Sequence, residues 1–83
     1  MSSINIVIKV PDSILRGQKT DVAEFGREIQ MLAAVKLYEL GRMSSGLAAE
    51  LAGVPRVVFL NSLGQYQVFP LAAELSELEN STD

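Results

Sequence analysis

Two pairs of carboxylates, Glu24/Glu28 and Glu74/Glu77, stand one helical turn apart, a spacing at which two acids can share a proton or a cation. Nothing completes either pair. The chain has no histidine and no cysteine, which removes the commonest proton shuttle, metal ligand and nucleophile. Solvated helix faces carry such acid pairs routinely. Gly46 and Gly53 do not make a phosphate loop, since neither follows a strand or leads to a Gly-Lys-Ser/Thr ending. The expectation is a protein that is not an enzyme and uses no cofactor and no metal.

The chemistry that remains is recognition. Ser44 to Leu63 has the grammar of a helix-turn-helix. Two helices that cross steeply need a small residue at their contact, which Ala49 supplies. The tight turn between them favours a residue tolerant of positive φ, here Gly53. Val54 then plugs the core, and Phe59 packs the second helix back onto the first. Arg56 and Asn61 are suited to reading base edges, while Lys36, Arg42, Ser44 and Ser45 suit phosphates. Each has a plainer reading. Lys36 and Arg42 fall at a helix C-terminal end, which favours cations; Ser44 and Ser45 can serve as caps alone. A helical hairpin that binds nothing obeys the same packing rules. The second helix opens with Pro55, Arg56, Val57 and Val58, an apolar start for a recognition helix. Val57, Val58 and Leu60 cannot all face inward with Phe59, so an exposed apolar surface is expected there.

Other elements must position this segment. Ile4, Ile6, Ile8 and Val10 alternate with Asn5, Val7 and Lys9, the period of a β-strand over 4–10, and Pro11 stops it. A lone strand leaves its backbone unpaired. The same strand from a second copy, antiparallel across a two-fold axis, would satisfy it, making Ile4, Ile6, Ile8 and Val10 a dimer interface. The alternative is pairing with Gln65–Phe69 of the same chain. Residues 11–15 read as a turn or a single helical turn, and 16–20 as a loop. Asp21 and Glu24 form a capping box before a long helix over 21–41, apolar at Val22, Phe25, Ile29, Leu32, Ala33, Leu37 and Leu40 and closed by Gly41. Phe25, Ile29 and Leu32 offer a rival dimer surface. A C-terminal helix over 70–79, with Leu71, Leu75 and Leu78 on one side, precedes a disordered tail at 80–83.

Composition sets the class. Eighty-three residues make one domain, and small domains bury a modest share of their surface. Yet the chain is 48% hydrophobic with a mean hydropathy of +0.24, so part of that surface is expected against another chain. The net charge is −3, unpromising for nucleic acid. Its distribution is uneven: all seven cations lie within 1–60 with six anions, and 61–83 carries four anions alone. Aromatic residues are 6% and tryptophan is absent, so stacking platforms for bases are scarce. No apolar run reaches the roughly 18 residues needed to span a bilayer. Met1 to Val10 lacks the basic start of a signal peptide, and a cytoplasmic protein made without processing is expected.

The run Leu37-Tyr38-Glu39, Gly41, Ser44, Gly46 and Ala48-Ala49-Glu50-Leu51-Ala52-Gly53, followed by Arg56 and Phe59-Leu60, resembles the prokaryotic uncharacterised protein family UPF 0175. The opening stretch to Pro11 and the exit Leu63-Gly64-Gln65-Tyr66 are similar too, so the likeness covers about residues 4–69. The resemblance implies an antitoxin with a helix-turn-helix, encoded beside a PIN-domain ribonuclease toxin. Carried over, Ser44, Gly46, Ala48, Ala49, Gly53 and Phe59 build the motif and Arg56 faces the ligand. Val58 departs from the polar residue the family often shows before the Phe, which favours a partner-binding surface over base reading.

Together these readings predict a mainly α fold with a short N-terminal β-strand, a helix-turn-helix core over 44–63 and a homodimer joined through the strand. The expected function is an antitoxin that binds double-stranded DNA, represses its own operon and neutralises a cognate toxin. Leu71, Leu75, Leu78, Glu74 and Glu77 would bind the toxin, the acidic end lying across its cationic cleft; a merely solubilising tail is the equal alternative. A dimeric interaction adaptor that no longer touches DNA is the other class of function.

Overall fold

The computed structural model describes residues 3–69, and the C-terminal helix expected over 70–79 lies outside them. The fold is mainly helical: α1 spans Asp12–Gln18, α2 Val22–Glu39, α3 Ser45–Ala52 and α4 Arg56–Ser62, followed by a 3-10 turn over Leu63–Tyr66. No helix among the described residues is long and apolar enough to cross a membrane.

The helix boundaries follow from local chemistry. Asp21 is extended, and its Oδ1 accepts the Glu24 N–H at 2.8 Å, satisfying one orphan donor of α2. At the other end Gly41 takes φ +75°, which lets the Gly41 N–H donate to the Tyr38 carbonyl and the Arg42 N–H to the Leu37 carbonyl. This is a complete Schellman closure. Ser44 caps α3 in the same manner as Asp21, its Oγ accepting the Leu47 N–H at 3.2 Å. Gly53, again at φ +75°, closes α3 with the same pair of bonds, from Gly53 to Glu50 and from Val54 to Ala49.

Two more elements end in this geometry without glycine. Lys19 (φ 54°) closes α1 and Gln67 (φ 58°) closes the 3-10 turn. An L-residue with a side chain resists that backbone, so both positions carry strain.

The core is built by the second half of the chain. Ala34, Val35 and Tyr38 of α2 meet Ala48 and Ala49 of α3, Phe59 and Leu60 of α4, and Leu63 and Val68 beyond it. Phe59 and Leu63 are wholly buried. Tyr38 meets Phe59 edge to face, ring centroids 5.7 Å apart and planes at 89°, the arrangement the ring quadrupoles favour. Ala34, Ala48 and Ala49 are small because the helix backbones come close there; none has more than 2% of its surface exposed.

Three expectations need correction. The strand over 4–10 is not formed within this chain: among the described residues, 3–10 are in no strand and make no backbone hydrogen bond. Gln65–Phe69, the in-chain candidate, is consumed by the 3-10 turn and the Gln67 closure. The segment from Asp12 is also longer than one turn, because Gly17 near its C-terminal end is tolerated and α1 continues to Gln18.

Candidate nucleic-acid interface

The segment expected to form a helix-turn-helix folds as two short helices around a tight bend. Gly53-Val54-Pro55 joins α3 to α4; Pro55, at φ −61° and ψ 150°, sits ahead of the first α4 turn and lacks only an N–H that no helical bond would use. Ala48 and Ala49 let α4 approach, and Phe59 fills the gap between the two helices and α2. Val54 packs at the margin of this core, as its place after the glycine predicts.

Ser45 and Arg56 are brought together, though not at the surface alone. Arg56 Nε donates to Ser45 Oγ at 2.8 Å, tying the first turn of α4 to the first turn of α3. Ser45 is 1% exposed, so its hydroxyl is committed inside the unit and does not face a phosphate. Ser44 stays exposed, with its hydroxyl engaged as the α3 cap. Arg42 is exposed two residues ahead of Ser44, so chain connectivity keeps it near the same end. Asn61 is exposed on the last turn of α4.

Lys36 is not part of this group. At about 100° per residue it projects on the side of α2 opposite Ala34 and Tyr38, hence away from α3 and α4. Its ammonium is also paired with Glu39 at 2.9 Å, an exposed ion pair within α2. Among the described residues no cluster of acids could hold a metal ion, and no buried side-chain polar atom lacks a partner. The arrangement is suited to recognition by shape and surface charge. Lys36 and Arg42 carry opposite prospects that sequence position alone could not separate.

Apolar side chains share the same two helices. Val58 is 44% exposed on α4 and Leu47 57% exposed on α3, while Leu60 is buried and Val57 half-buried. The exposure of Leu47 went unread in the sequence, because a leucine on an amphipathic helix ordinarily points inward. The Ser45–Arg56 bond also went unread, since it joins residues eleven apart through tertiary packing.

A second concave surface lies elsewhere. An open groove of about 690 Å³ separates segment 3–10 from α2, with Ile4, Ile6, Ile8 and Val10 on one wall and Val22, Phe25, Ile29 and Ala33 on the other. The expected alternation therefore survives without a ladder: its aliphatic face looks into this groove. Leu71, Leu75, Leu78, Glu74 and Glu77, the expected toxin-binding residues, lie outside the described residues.

The profile of the uncharacterised protein family UPF0175 matches residues 1–82. The chain belongs to this family. No curated protein sequence and no solved structure gives a match. Within this UPF0175 chain, the family-like run from Leu37 to Leu60 supplies much of the core: Tyr38, Ser45, Ala48, Ala49, Phe59 and Leu60 are its buried members. Packing and helix closure account for Tyr38, Gly41, Ser44, Ala48, Ala49, Gly53, Phe59 and Leu60 of that string.

Proposed function

We propose that this protein is an antitoxin-type regulator that binds double-stranded DNA through α3 and α4, represses its own operon as a homodimer, and engages a cognate toxin of the PIN-ribonuclease kind through its acidic C-terminal residues. The observation that supports this most is the bend at Gly53: α3, capped by Ser44 and closed by a left-handed glycine, is followed after Val54 and Pro55 by α4, and Arg42, Arg56 and Asn61 are each exposed. The Ser45–Arg56 bond holds the guanidinium stem at a fixed place on the unit, and a fixed guanidinium suits guanine or phosphate contact. Within the first 60 residues the cations exceed the anions by one, so the acidity of the whole chain stems from its end. That separation suits one molecule serving a polyanion at one end and a cationic cleft at the other.

A gel shift with the DNA upstream of its own gene tests the first half. Binding is expected at low salt and weakens steeply toward physiological salt; Arg42→Ala is expected to weaken it on all sequences and lower the salt slope by about 1. Absence of a shift at both salts would remove DNA from the reading. Co-expression with an adjacent toxin gene tests the second half, and Glu74→Lys with Glu77→Lys is expected to reduce co-purification.

A second reading is favoured by one observation. Val58 and Leu47 present apolar surface on the helices that would dock on DNA. A dimeric adaptor that binds a protein there would keep its partner when Arg42 is changed and lose it with Val58→Lys.

A further inference from the structure

We propose that the groove between segment 3–10 and the outer side of α2 is the seat of a second copy of this chain, with the two candidate dimer surfaces, strand and long helix, forming a single interface. The inference rests on the two-copy reading above and gives it a location and a register. Three observations support it. The residues lining the groove carry no charged side chain, so neither a nucleic acid nor the acidic end of the chain finds a counter-charge there. One wall is a segment whose backbone N–H and C=O groups make no hydrogen bond among the described residues, while Ile4, Ile6 and Val7 are 84–90% exposed. Such an edge is a template for another strand. Finally, the segment is complementary to itself.

An antiparallel pair centred on Val7 sets Ile4 opposite Val10 and Ile6 opposite Ile8 of the second copy, so both aliphatic faces fall on one side of the ribbon. On the other side Asn5 meets Lys9, and Val7 meets Val7; no like charges are opposed. The two-fold axis then passes beside Val7, and each strand's aliphatic face covers the α2 groove of the pair. Val22, 76% exposed in the single chain, becomes covered. The occupant is a twin strand because only an unpaired strand can satisfy the backbone edge while filling an uncharged groove.

Sedimentation equilibrium of the full chain, without DNA, tests this. The wild type is expected at twice 9.0 kDa at micromolar concentration. Ile6→Lys and Val22→Lys are each expected to sediment as single chains with helical circular dichroism retained, since both side chains are exposed in the monomer. Val58→Lys, away from the groove, is expected to leave the dimer intact. A monomeric wild type, dissociation by only one of the two groove variants, or dissociation by Val58→Lys as well would each overturn the proposal. The register has its own test, because the chain lacks cysteine. Val7→Cys is expected to cross-link to its twin under mild oxidation, and Lys9→Cys far less; equal cross-linking would refute the Val7 axis. These readouts contain no DNA, so a failed gel shift with an intact dimer removes only the DNA reading.

Discussion

The two sides of α2 carry similar residues and meet different fates. Ala34, Val35 and Tyr38 are buried under α3 and α4, whereas Val22 and Leu32, elsewhere on the helix, and Leu40, just past its end, keep between 45% and 76% of their surface exposed. Apolar residues occur on both sides, so periodicity alone marks no single inner face. What separates them is which neighbour the rest of the chain can deliver. The side facing α3 is matched by alanines that allow close approach and by Phe59, which fills the remaining space. Elsewhere on the helix, Val22, Phe25, Ile29 and Ala33 face segment 3–10 across an open groove.

This contrast can be broken hardest at Phe59. Phe59→Ala removes a wholly buried ring and its edge contact with Tyr38; a loss of about 3–5 kcal/mol is expected, enough to unfold a small domain, read by denaturant titration. Ala49→Leu attacks the same side by crowding. It is expected to cost about 1–3 kcal/mol, since a helix contact at 2% exposure has no room for three more carbons. Gly53→Ala is expected to lose about 1–2 kcal/mol. A Cβ there meets nothing within 4 Å, so the cost is that of φ +75° alone, and Gly53→Asn should recover part of it. Lys19→Gly works in the opposite direction on the exposed half of the molecule, relieving the α1 closure and gaining up to about 1 kcal/mol, a rise of several degrees in Tm. The smallest effect sharpens the comparison: Leu40→Ser on the uncovered side is expected to change stability by less than about 0.5 kcal/mol.

Sequence alone revealed what is written locally. Asp21, Gly41, Ser44 and Gly53 were readable as helix boundaries because a cap or a left-handed closure depends on a few adjacent residues. The place of Phe59 over α3 was readable for a similar reason, as the spacing from Gly53 fixes which side of α4 it occupies. The strand over 4–10 was a different kind of claim. Its alternation is real, but a ladder needs a partner, and the in-chain candidate has another conformation. The site was legible only in outline. Ser45 and Ser44 look alike as neighbours, yet one is the cap and the other is buried beneath Arg56, a distinction made by the crossing of two helices. Lys36 looked like a phosphate contact until the rotation of α2 placed it on the far side with Glu39.

Among the described residues, the buried ones all come from one uninterrupted stretch, Ala34 to Val68, in which α2 and α3 end in left-handed glycine closures and α4 runs on into the 3-10 turn. Bringing such a core together requires closing only short loops, so little chain entropy is lost before contacts form. In molecules whose Pro55 bond is already trans, refolding from denaturant should therefore pass through its main phase within milliseconds, and substitutions in the first eleven residues should leave that rate unchanged.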